Sequence, residues 1–259
     1  MCYPTQSKHI DMKRILVFAL AFYLLSCSSA KPLASKQTFT YDYKSTNTAK
    51  PGSAGVLVTL IRPYYATAFA QSYGDADVFA NFQKFMGDDI QELLIDKGYR
   101  IKSTYPTFDN MTYDEKKDVD VALEIEIVPS FTAAQGGWKT VRHIPFTGSV
   151  YYTYQYNGTV SLIGKINLYG LEPLSHEKIW IKSVPIPSII NIQINTSSDL
   201  TQNVVNINFL NDPNVYNALG RSLQRQYQLI LSQIDTYLDP REFQDLKDQI
   251  KELKSKKVY

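Results

Sequence analysis

The plainest chemistry in this sequence belongs to Cys27. It closes L-L-S-C, with Leu24 at −3, the small Ser26 at −1 and the thiol at +1. Upstream stand Lys13 and Arg14, followed by an apolar run of 11 residues, Ile15 to Leu25. Spanning a bilayer takes roughly 20 apolar residues, so this run reads as a secretory signal removed before Cys27, whose sulfur then carries acyl chains. Leu25 is bulkier than usual at −2, and a buried helix or cleavage elsewhere are the competing readings. Met12 is a more natural start than Met1. The predicted division is a signal peptide over 1–26, a lipidated Cys27 with a flexible tether over 27–55, and a single domain over 56–259. Membrane attachment through Cys27 needs more than one acyl group, because one chain holds only marginally. Ser28, where Asp would signal retention, points weakly to the outer membrane.

Other reactive residues are sparse. The chain holds two Cys and three His. Removal of the signal would leave one Cys, so no intrachain disulfide is expected. His143 and His176 alone cannot make a zinc site, and neither stands in H-E-x-x-H or C-x-x-C. No G-x-S-x-G, G-x-G-x-x-G or P-loop string occurs. The expectation is a non-enzyme with no catalytic residues, no cofactor and no metal. Glu124 and Glu126 are spaced like an acid–base pair, but strict alternation in V-D-V-A-L-E-I-E-I-V explains them as the wet face of a half-buried strand. The 27 basic and 25 acidic side chains nearly balance, so no basic field exists to hold nucleic acid.

The composition favours binding over catalysis. G-G-W-K-T-V-R-H-I-P-F, Gly136 to Phe146, reads as a loop carrying Trp138, Lys139, Thr140, Arg142 and His143. Beside it lies S-V-Y-Y-T-Y-Q-Y-N, whose Tyr151, or else Tyr152, Tyr154 and Tyr156, would face solvent. Aromatic faces stack on sugar C–H groups, and Arg or Lys can pair with a sugar carboxylate.

Several elements must position these residues. Val56 to Ile61 reads as a central strand. Phe79, Phe82, Met86, Ile90 and Leu93 make one stripe of a helix over Asp77–Lys97, closed by Gly98. Val119 to Val128 is the clearest strand. Asn157-Gly158, between two alternating runs, predicts a type I′ hairpin turn. Glu177 to Val184 is another strand. Ile189 to Leu210 reads as a long, weakly charged hairpin whose edge invites self-association. Asp212-Pro213 opens a helix striped by Tyr216, Leu219, Leu223, Tyr227, Ile230, Ile234 and Tyr237, and Asp239-Pro240-Arg241-Glu242 restarts another with a capping-box pattern. The β-α-β-β start, run of strands and final helices give an α+β domain with a mixed, largely antiparallel sheet and the C-terminal helices packed on it.

V-T-L-I-R-P at Val58–Pro63, L-L-I-D-K-G-Y-R at Leu93–Arg100, M-T-Y-D-E-K-K at Met111–Lys117, L-E-P-L-S at Leu171–Ser175 and the tail L-K-D-Q-I-K-E-L-K-S-K-K together give this chain its likeness. With its lipobox, it resembles a divergent member of the Helicobacter neuraminyllactose-binding haemagglutinin family, the flagellar sheath adhesins. That family has a sialic-acid-binding stretch, K-R-T-I-Q-K, after its acidic strand, and W-K-T-V-R-H stands in the equivalent place. Thr140 is identical, Lys139 and Val141 are conservative, Arg142 replaces Gln, and Trp138 and His143 replace the flanking lysines. The resemblance implies an outer-membrane, cell-surface or flagellar-sheath location and an adhesin that binds host sialylated glycans. The alternative is an envelope scaffold lipoprotein acting through a protein partner.

Overall fold

The computed structural model of the chain describes residues 35–46, 48–145, 148–198 and 209–256. Cys27, the signal segment and residues 199–208 of the expected Ile189–Leu210 hairpin lie outside the described residues, and the end of its expected return arm, Phe209–Asn211, is a 3-10 turn. Unit Lys36–Tyr259 holds the fold.

The fold is α+β, as its order of elements predicts. The central strand β1 (Leu57–Ile61) lies between β3 (Arg100–Tyr105) and β4 (Val121–Phe131) and runs parallel to both. The two-residue β2 (Tyr64–Tyr65) also pairs with β4 in parallel. The other half of the seven-stranded sheet is antiparallel. There β6 (Tyr151–Glu172) pairs with β4, with β5 (Gln135–His143) and with β7 (Glu177–Ser198).

Three helices cover one face. They are α1 (Asp77–Asp96), α3 (Pro213–Tyr237) and α4 (Pro240–Lys256). The core joins the α1 and α3 stripes to Val121, Leu123, Ile125 and Ile127 of β4. The local signals act as expected at several ends. Gly98 takes φ +84° after α1, a conformation open to glycine, and Asp212 accepts from the Asn214 amide ahead of Pro213. The capping box at α4 is only half made. Asp239 accepts from the Arg241 amide, but Glu242 turns to the sheet, where it accepts from Trp180 Nε1 at 2.9 Å and pairs with Lys182 at 2.6 Å.

The opposite face is covered in part. The chain from Pro106 crosses beneath β1 and β4 with the short helix α2 (Tyr113–Asp118), whose Thr112–Glu115 capping box is closed. Phe108, Met111 and Val119 bury themselves there against Ile61, Ala122, Tyr169 and Leu171. The alternation of β4 is real, but its second face is therefore not uniformly wet: Glu124 is only 5% exposed.

Three further expectations are corrected. First, Asn157-Gly158 makes no turn. It lies inside β6, a continuous strand of 22 residues. Gly158 faces Gly136 on β5, and a Cβ on Gly136 would sit 2.4 Å from the Gly158 Cα. The glycines serve a close crossing of backbones instead. Second, Glu177–Val184 and the run from Ile189 are one strand, β7, also of 22 residues. Third, the tether is shorter than 27–55. Phe39 and Tyr41 are 4% and 3% exposed, and a Cβ on Gly220 would lie 2.1 Å from the Phe39 ring. The Gln37 amide donates to Asn217, Gln224 to the Thr40 carbonyl and Tyr43 to Asp235, so this segment straps along α3.

β4 and β5 lie end to end against β6, with a break at 132–134. With β7 they form a ribbon whose 22-residue strands run about 70 Å at roughly 3.3 Å per residue. The 20-residue α1 extends about 30 Å. The strands outrun the helices, and the far end of the ribbon projects as an arm. At the arm's root the irregularities line up. The Ser161 amide donates to Thr132 Oγ1 (3.0 Å), the Asn191 amide to Ser161 Oγ (3.2 Å), β6 shifts register beside Ser161, and Asn191 takes φ +55°.

Candidate functional site

Gly136–His143, read as part of a loop, is strand. Its exposure on both faces marks it as the arm. Alternation then decides which predicted residues can act together. Trp138, Thr140 and Arg142 share a face with their partners Tyr156, Tyr154 and Tyr152. Lys139 and His143 share the other face with Gln155 and Tyr151. The five candidates therefore do not converge on one ligand.

The two faces differ in character. Trp138 is half-buried and meets the Tyr156 ring edge-on, centroids 5.4 Å apart and 68° between planes. Tyr156 is 6% exposed and belongs to the core, so Trp138 anchors the root of the arm. Arg142 stands about 13 Å along the strand from Trp138, at roughly 3.3 Å per residue, which exceeds one sugar ring. Tyr152, 54% exposed, lies directly across from it. A carboxylate at Arg142 would thus meet Tyr152 and Tyr154 rather than Trp138. Among the described residues no carboxylate pairs with Arg142. On the other face His143 stacks on Tyr151 (4.7 Å, 9°), and its Nε2 lies 2.7 Å from Thr153 Oγ1.

A second constellation, passed over in the sequence, lies at the other end of the ribbon. Glu124 Oε1 accepts from the Tyr64 hydroxyl at 2.6 Å, and Glu124 Oε2 lies 2.9 Å from His176 Nε2. His176 sits in the β6–β7 turn at φ +60°, a left-handed conformation uncommon for a side-chain-bearing residue. Its ring stacks on Phe108 at 3.9 Å and 14°, and Lys116 Nζ stands 4.0 Å over the Phe108 ring. A cleft of about 360 Å³ opens here, lined also by Ile61, Pro106, Thr107 and Asp109. Burial, then the hydrogen bond to Glu124, pushes the Tyr64 phenol well above its ordinary range, so it stays a donor. Glu126, next on the same face, accepts from Tyr169 at 2.7 Å and Asn167 at 3.0 Å. Burial, the largest single cause, raises its pKa, but these hydrogen bonds and the charges of Lys178 and Lys165 together outweigh it and hold the carboxyl below its ordinary value. The same contact and burial push Tyr169 up to about 12, burial being the larger cause. The sequence signal for this site is indirect. Phe108 and Met111, just ahead of the Thr112–Glu115 capping box, need a face to bury, and the helices take the other side of the sheet.

Among the described residues no cluster of three or more His, Cys, Asp or Glu is placed to hold a metal ion, and no helix is long and apolar enough to cross a membrane. No family model matches the sequence, and no curated protein matches it. Solved structures do. A neuraminyllactose-binding hemagglutinin homolog from Helicobacter pylori superposes with a TM-score of 0.53 at 15% identity, over 83% of this chain and 100% of that one. A Xanthomonas campestris protein gives 0.33 at 10% identity over 80% and 99%. The Neisseria meningitidis lipoprotein GNA1162 gives 0.25 at 12% identity over 68% and 99%. The chain has the fold of the Helicobacter pylori protein, as a distant relationship. Of the five segments quoted above, V-T-L-I-R-P supplies Ile61 to the lining of the Glu124 cleft, whereas W-K-T-V-R-H stands out on the arm.

Proposed function

We propose that this chain is a lipid-anchored protein of the bacterial envelope, exposed at the outer surface, that binds sialylated glycans on the Arg142 face of its arm and catalyses no reaction. The observation that carries this is the placement of Arg142, an exposed guanidinium beside two tyrosines on the outermost part of the ribbon. A planar cation takes a carboxylate in two parallel hydrogen bonds, and phenol rings cover the apolar face of a sugar. The Helicobacter pylori neighbour's description as neuraminyllactose-binding supports the choice of ligand. The lipobox at Cys27 supports the anchor.

Saturation-transfer NMR with sialyllactose and lactose side by side tests the reading. Transfer to the sialic acid protons is expected, lost in Arg142→Ala and kept in Lys139→Ala, whose side chain lies on the other face. Equal transfer from both sugars, or none at millimolar concentration, rejects sugar binding at this site and leaves the arm as a contact for a protein partner.

A further inference from the structure

We propose that the cleft between Tyr64, Phe108, Glu124 and His176 binds an alkylammonium group, borne by a free amine or by the lysine side chain of a peptide. The lining states the preference. Its polar groups are the carboxylates of Glu124 and Asp109, the hydroxyls of Tyr64 and Thr107 and the imidazole of His176, and no Lys or Arg is among them. A site rich in acceptors, with two carboxylates and no cation, calls for a charged donor. Ile61, Pro106 and Phe108 supply apolar walls for the methylene stem. A volume of about 360 Å³ falls within the range of small-ligand clefts, roughly 300–1,000 Å³.

The site is also held ready. Glu124 is fixed at both oxygens by Tyr64 and His176. His176 is clamped by its stack on Phe108 and by the left-handed turn that carries it. Lys116 stands 4.0 Å from the centroid of the Phe108 ring and does not line the cleft. Strained backbone held by its surroundings is a feature of ligand clamps. The cleft lies at the β6–β7 turn, the opposite end of β6 from Arg142, so it stands independently of glycan binding.

The test titrates the protein with n-butylamine hydrochloride, n-butanol and sodium butyrate at constant pH, following the His176 imidazole and Phe108 ring resonances by NMR. A saturable shift with butylammonium is expected, with butanol roughly tenfold weaker, as for loss of a charge-assisted contact, and butyrate silent. Acetyl-Gly-Lys-Gly-amide and its norleucine counterpart then separate the sources: a tighter response to the lysine peptide than to the free amine assigns the site to a peptide, and the reverse to a small amine. Glu124→Gln should abolish the response while Arg142→Ala leaves it unchanged. Should Glu124→Gln disturb the fold, seen as loss of the His176–Phe108 ring-current shift, Asp109→Asn decides, because that side chain is exposed. Its binding should weaken severalfold. An equal response to butanol, no saturable shift, or unchanged binding in Asp109→Asn overturns the proposal.

Discussion

Two buried acids on this chain are treated in opposite ways. Glu124 is satisfied by Tyr64 and His176 at a cleft. Asp89, 7% exposed on α1, accepts from the Tyr227 hydroxyl at 2.6 Å but lies near Asp42 and Glu92. Burial, the largest cause, with those two neighbouring charges adding to it, raises its carboxyl from 3.8 to about 6 against the Tyr227 hydrogen bond. The folded chain therefore holds this proton to higher pH than the unfolded chain does. Stability from this group is fully present below its unfolded pKa and is lost as pH rises through about 6. Asp89→Asn removes the ionisation and keeps a carbonyl for Tyr227. Relative to the parent it should gain about 3 kcal/mol more at pH 7 than at pH 3.5, read from urea unfolding at both pH values. A mutational effect equal at the two pH values would show that burial does not raise this carboxyl. At this scale the sequence is least informative. Alternation placed Glu124 on the correct face of β4, yet nothing local says that residues 106–119 cross that face and roof it. His176 is likewise invisible as a partner, because 52 residues separate it from Glu124.

Among elements, those whose signals are local and redundant are legible. The stripe and Gly98 define α1, and Asp212-Pro213 defines the start of α3. β5 and β6 are misread for one reason, which is that glycine has two uses. Asn-Gly is a turn when the chain reverses, but here Gly158 admits the backbone of β5 and the ring of Tyr156. A Cβ there would lie 2.5 Å from the Gln135 carbonyl oxygen and 2.7 Å from the Tyr156 ring. Gly158→Ala should therefore loosen β5 from β6. Amide exchange should speed at least tenfold across Gln135–His143 while β4 and the helices keep their protection, since stability is lost locally in separable units. Uniform faster exchange throughout, or none, would contradict a crossing that matters only to the arm. β7 was divided because Pro185 and Pro187 interrupt its pattern. Both are tolerated at the margin of a sheet, where β7 lies among the described strands.

For the molecule as a whole, the fold class was legible and its reach was not. The order β-α-β-β, strands, then helices dictates a mixed sheet under helices, as observed. The projection of the arm follows from a mismatch of lengths that appears only once the two halves of β6 are known to be one strand. The docked segment before Pro51 was missed for a similar reason: Phe39, Tyr41 and Tyr43 alternate in a polar stretch too short to show a period, and their partners lie on α1 and on α3, the hydrogen bonds to α3 spanning 180 to 192 residues. That strap decides where the domain is held. Gly220→Ala should expel Phe39, because the two would occupy the same space. The expected loss is about 1–3 kcal/mol, with faster tryptic cleavage after Lys36 and Lys44. Unchanged cleavage would mean that Phe39 does not hold the strap.

The joint at Thr132, Ser161 and Asn191 gives the ribbon a mechanical character. A load applied at the arm's tip runs lengthwise along β4, β5 and β6, so the rungs between strands share it in shear instead of parting one after another. The row of bulges is where that stiff beam can bend. A chain built this way would resist a steady pull along the ribbon's axis and yield sideways at the joint, sparing the body behind it.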